Sequence, residues 1–113
     1  MNAMNKTLRL AILAMLVALA AVACRKQDIR VAVIKTPGVK NQACAKIIQD
    51  SFMRQPGIVS VRPDFQRSET TITYNSMVIA RKNLEYTIAA AGFDANDIPA
   101  QTNAVAALPP ECR

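Results

Sequence analysis

The chain has 113 residues, room for one domain and no more. Its 14 basic and 8 acidic residues give a formal charge of +6, for which solubility and mild attraction to anionic surfaces suffice, without nucleic acid as a partner. Three Phe and two Tyr, with no Trp, do not interleave with the basic residues as a single-strand-binding surface requires.

The first residues read as a targeting segment. Lys6 and Arg9 form a positive n-region, and Leu10 to Ala23 is an unbroken apolar run without charge. That run falls short of the roughly 20 apolar residues of a membrane-spanning helix and has the length of a secretory h-region. Residues 1–23 are therefore predicted to be a signal peptide and the protein to be exported. The stretch Ala21-Val22-Ala23-Cys24 resembles a bacterial lipobox, with Ala21 where Leu is usual. That resemblance implies cleavage before Cys24, lipidation of its thiol and attachment to a membrane. Arg25, in place of a retention Asp, implies sorting to an outer membrane with the domain facing the periplasm. The same residues also suit an Ala-x-Ala cleavage that releases a soluble periplasmic protein. Without Lys6 and Arg9 the charge is 12 basic against 8 acidic, or +4.

Residues 24–28 are read as a short linker. Gln27 to Thr36 alternates as a strand, and Pro37-Gly38 stops it. A helix is predicted from Asn41 or Gln42 to Arg54, with Ala45, Ile48 and Phe52 on one face beside Cys44 and Ile47. Gln55-Pro56-Gly57 ends it. Ile58 to Val61 is a second strand, closed or bulged at Arg62-Pro63-Asp64, and Glu69 to Tyr74 is a third. A second helix runs from about Ala80 to Ala91, with Gly92 as its C-cap. Phe93 to Ile98 is expected to be a last short strand. The order βαββαβ predicts an α+β, ferredoxin-like sandwich over residues 29–98: a four-stranded antiparallel sheet with two helices on one face. The tail, 99–113, carries one or two helical turns between Asn103 and Leu108, then Pro109-Pro110 and Glu111-Cys112.

Several landmarks carry a resemblance to the heavy-metal-associated family, the small modules of copper chaperones, metal pumps and the periplasmic mercuric-ion carrier. They are the loop Pro37-Gly38-Val39, the turn Pro56-Gly57-Ile58-Val59-Ser60-Val61, the strand end Thr71 to Asn75, and Ile88 to Asp94 around Ala91-Gly92-Phe93. The resemblance implies the same fold and a soft-metal role. Its metal loop, Gly-Met-x-Cys-x-x-Cys, aligns with Gly38-Val39-Lys40-Asn41-Gln42-Ala43-Cys44. Cys44 is the second cysteine; Asn41 stands in place of the first and Val39 in place of the Met. A carboxamide oxygen is a hard donor, a poor partner for a soft ion. No His exists to replace it.

Cys44 belongs in the first turn of a helix, where N–H groups and the helix dipole favour a thiolate, with Lys40 and Lys46 nearby. The same residue also suits simple packing against the sheet. If Cys24 carries lipid, Cys44 and Cys112 form an even pair in a compartment that permits disulfides. They are bridged, share a metal, or are unrelated. A tail folded back across the domain would set Cys112 beside Cys44. The two thiolates would suit Cu(I) or another soft ion, and a disulfide there would stabilise the fold by about 3–4 kcal/mol. Phe93 fits a shield over the loop or plain core packing. Met53 and Met77 read as core filler, and Arg81-Lys82 as a solvated helix face.

The sequence thus predicts an exported, lipid-anchored soft-metal carrier that hands its ion to or from an envelope protein by thiolate exchange. The alternative is an interaction module of the cell envelope with a structural Cys44–Cys112 disulfide. No enzyme is expected, because no Ser–base pair, phosphate loop or carboxylate pair is visible.

Overall fold

Alternation of β-branched and small residues builds the first strand. Ile29–Lys35 (β1) turns Ala32 and Ile34 inward and leaves Ile29, Val31 and Val33 outside. Glu69–Asn75 (β3) does the same with Thr70, Ile72 and Tyr74 buried. The computed structural model describes residues 2–23 and 27–113. An N-terminal helix, α1 (Asn2–Ala23), covers the predicted signal peptide, and Cys24 lies outside the described residues. No helix among the described residues is long and apolar enough to cross a membrane.

The remaining elements are α2 (Gln42–Phe52), β2 (Ile58–Asp64), α3 (Arg81–Ala91), α4 (Thr102–Ala107) and a closing 3₁₀ turn, Pro110–Cys112. The strands form one antiparallel sheet in the order β1-β3-β2. Ile29 pairs with Asn75 and Lys35 with Glu69, while Asp64 meets Glu69 from the other side. Ala45, Ile48 and Phe52 of α2 and Leu84 and Ile88 of α3 close over Ile34 and Ile72 to make the core. Among the described residues that core draws on nothing before Ala32, so residues 27–113 carry the whole described core. Inside it the hydroxyls of Thr36 and Thr70 bond each other at 2.9 Å, a buried polar pair that satisfies itself. At the far end Ser76 Oγ donates to Asp28 Oδ2 at 2.6 Å and, with Arg30, holds that carboxyl below the usual aspartate range.

Two expectations are corrected. The irregularity in β2 falls between Ile58 and Ser60, not at Arg62–Asp64. Val59 is the extra residue, and Pro63 keeps the strand because β2 is an edge, where no N–H is needed on the outer side. The expected fourth strand is absent, and among the described residues the sheet has three strands. After Gly92 caps α3 in the left-handed region, Asn96 also takes a positive φ of 51° and turns the chain, leaving only an isolated bridge between Ala95 and Ile98. Asp94 Oδ1 accepts from Ala100 N–H and holds the reversal closed. Asn tolerates this conformation better than most residues, which is why an apparently extended run folds back.

One residue does the work of the missing strand. Asn96 N–H donates to Lys35 C=O and Asn96 Oδ1 accepts from Lys35 N–H, both at 2.9 Å. Its Nδ2 donates to Glu85, a buried carboxylate also paired with Lys82. The tail then departs over α3: Gln101 N–H bonds Ala89 C=O, and Leu108 packs onto Gly92 so closely that a Cβ there would fall 2.9 Å from Leu108 Cδ1. From Leu108 the 3₁₀ turn reaches the start of α2.

Candidate metal loop and its disulfide

The loop between β1 and α2 is short and anchored from both sides. Thr36 N–H bonds Ser68 C=O, and Val39 N–H bonds Thr36 C=O to close a turn around Pro37-Gly38. Val39 is buried in the core, and Gly38 lies against the ring of Phe93, 3.4 Å from where its Cβ would be. Phe93 is therefore a core residue directly beneath the loop.

Asn41 is the N-cap of α2. Its backbone is extended, and its Oδ1 accepts from Cys44 N–H at 3.0 Å, satisfying one of the helix's unpaired donors. Cys44 thus sits at the third helical position, with its own N–H tied to the residue standing where the family carries a cysteine. Lys40 is exposed, and its Nζ donates to Arg113 C=O at 3.4 Å.

Cys44 and Cys112 are joined in a disulfide, with Cα atoms 5.6 Å apart and a sequence separation of 68. Both are buried: Cys44 is 0% and Cys112 4% exposed. The Glu111 carbonyl oxygen lies 3.9 Å from Cys44 Sγ, a contact without a donor because the sulfur is bonded to its partner. Cys112 N–H closes the 3₁₀ turn onto Pro109 C=O, and Arg113 Nε donates to Leu108 C=O. In this state the sulfurs have no thiolate to offer. Among the described residues no group of three or more His, Cys, Asp or Glu stands where it would hold a metal.

Of the residues singled out from sequence, Gly38, Val39, Lys40, Asn41, Cys44, Phe93 and Cys112 converge on this end of the domain. Met53 and Met77 do not fill the core; both are exposed. Leu108 and Asn96 stand in no motif, yet they set the path that delivers Cys112. The only hint was the pairing of an apolar Leu108 with the stiff Pro109-Pro110 after it.

No protein-family model matches the sequence, and no curated protein matches it. Solved structures do. Oxidized MerP from Ralstonia metallidurans CH34 superposes with a TM-score of 0.57 at 17% identity, over 61% of this chain and 96% of that one. The fold is that of the heavy-metal-associated domains. The yeast copper transporter domain Ccc2a, solved in apo and Cu(I)-loaded states, matches with a TM-score of 0.54 at 21% identity, over 64% of this chain and 99% of that one. A copper form of a CopA variant from Bacillus subtilis gives 0.55 at 15% identity, over 64% and 95%. Of these neighbours, Ccc2a is a copper transporter domain and the CopA variant a copper form. The chain departs from the resemblance at the fourth strand and in the loop, where Val39 and Asn41 stand in place of the Met and the first cysteine.

Proposed function

We propose that this chain is a soft-metal carrier of the cell envelope in which Cys112, brought in by the tail, replaces the cysteine missing at Asn41. The observation that supports it is the 5.6 Å separation of the Cys44 and Cys112 Cα atoms at the helix start, where the family resemblance puts its thiolate pair. A dithiol reductant supplies two electrons and two protons, opening the bridge to two thiols while the reductant becomes a disulfide. Both thiols lose their protons as they take up Cu(I) or a similar ion, for which soft two-sulfur coordination suits. A cysteine of a donor or acceptor protein then displaces one of them, and the ion passes on by thiolate exchange. The helix N-terminus and Lys40 favour the anionic sulfur at Cys44. Removal of residues 1–23 and lipidation of Cys24 would hold the domain at the membrane, with 24–28 as its tether.

Burial of both sulfurs favours a second reading, an interaction module whose bridge is purely structural. Anaerobic Cu(I) titration of fully reduced residues 27–113 against a chromophoric chelator separates the two. The carrier predicts one tightly held equivalent, weakened at least tenfold (about 1.4 kcal/mol) by Cys112→Ser, with Asn41→Cys restoring affinity in that background. If the reduced domain fails to compete with the chelator, the interaction module stands.

A further inference from the structure

The sheet has two edges, and they are defended differently. β2 carries a bulge at Val59 and a proline at position 63, features that discourage another strand from adding. β1 carries no bulge and no proline. Lys35 directs its N–H and C=O outward to Asn96, and the pleat therefore turns those of Val33, Val31 and Ile29 to the same open side. The side chains of these three residues all point away from the helices, with exposures of 48%, 64% and 49%.

We propose that this edge is a self-association surface: β1 pairs antiparallel with β1 of a second copy, joining two three-stranded sheets into one. The occupant follows from the edge itself. Asn96 blocks pairing at Lys35, so the free outward residues are Ile29, Val31 and Val33. A two-fold about Val31 sets Val31 against itself and Ile29 against Val33, matching every outward residue with another. The result is a ladder of β-branched apolar pairs on the solvent face, a favourable cross-strand combination. Charge permits it as well. Arg30 is held by its own Asp28 at 3.0 Å, and Lys35 faces Glu69 across its own sheet, so two copies meet without opposed net charge. The contact is short and belongs to the weak class of interfaces.

The two-fold puts the loops carrying Cys44, which follow the C-terminal end of β1, at opposite ends of the joined sheet. Association therefore needs neither metal nor free thiol, and stands or falls apart from metal carriage. The test is sedimentation equilibrium of oxidised residues 27–113 with a metal chelator present, up to high micromolar concentration. A reversible monomer–dimer equilibrium is expected. Val31→Lys should weaken it at least tenfold, and Val59→Lys, on the other edge, should leave it unchanged. Hydrogen exchange should slow with protein concentration at the Ile29, Val31 and Val33 amides and not at Ala32 or Ile34. A protein monomeric throughout that range, or a dimer indifferent to Val31→Lys, overturns the proposal.

Discussion

The two halves of the domain repeat one plan and finish it differently. In the first, β1 leads through the Asn41 cap into α2 and out to a full strand, β2. In the second, β3 leads into α3 and the expected strand is replaced by a single residue, Asn96, that bonds Lys35 and turns away. The first half keeps the fold's sheet; the second gives up a strand and sends its chain back over the helices. What that exchange supplies is Cys112 at the start of α2. The tail is thus bonded into the candidate site rather than an appendage, and the strongest way to test this is to cut it loose.

Cys112→Ser does so directly. Closing 68 residues constrains the unfolded chain by about 4 kcal/mol in the chain-entropy model. Urea denaturation of the oxidised wild type and the variant should differ by roughly that much. Reduced wild type should fall close to the variant. A loss below about 1 kcal/mol would mean the tail holds its place without the bond, contrary to the comparison.

The next largest effect tests the passage of the tail over α3. Gly92 has a φ of +106°, and its missing Cβ makes room for Leu108. Gly92→Ala strains the left-handed residue and pushes Leu108 off its seat, with an expected cost of about 2 kcal/mol. Because the displaced residue belongs to the tail, the variant should also speed reduction of the Cys44–Cys112 bond by a small dithiol. Thiol-trapping kinetics would show it. Equal reduction rates would leave Gly92 as an ordinary helix cap.

These contrasts explain what was legible in the sequence. The first half was readable nearly to its ends because its signals are local: alternation in β1, Pro37-Gly38, the Asn41 position and the apolar face of α2. The strand over Phe93–Ile98 was misread because its composition is compatible with extension, and only the left-handed turn at Asn96 decides otherwise. That turn is fixed by bonds to Lys35 and Glu85, 61 and 11 residues away. Cys44 and Cys112 were recognisable as a candidate pair, while their bond was one option of three. Choosing among the three depends on Leu108 meeting Gly92, a packing event between two segments whose separate sequences do not announce it. The bulge at Val59 was misplaced for a similar reason: Pro63 draws the eye, but an edge strand accommodates it without breaking register.

The smallest effects return to the two helix starts, where the halves differ by one side chain. α2 has Asn41, whose Oδ1 takes the Cys44 N–H; α3 has Ala80, extended in the same way but with no side-chain acceptor. Arg81 and Lys82 follow it, placing positive charge at the positive end of the helix dipole. Asn41→Ala should therefore cost about 1 kcal/mol, and Ala80→Asp should return a similar amount by capping α3 and opposing those cations. Both substitutions sit on exposed or half-buried backbone, away from the core, so equilibrium urea midpoints report the caps themselves. In the reduced protein the two should part company. Asn41→Ala frees the Cys44 N–H to face its own sulfur and should raise thiolate reactivity toward an alkylating agent, whereas Ala80→Asp should leave it untouched. A cap whose loss lowers stability but not the thiol's chemistry would mark Asn41 as a structural substitute for the family's cysteine and nothing more.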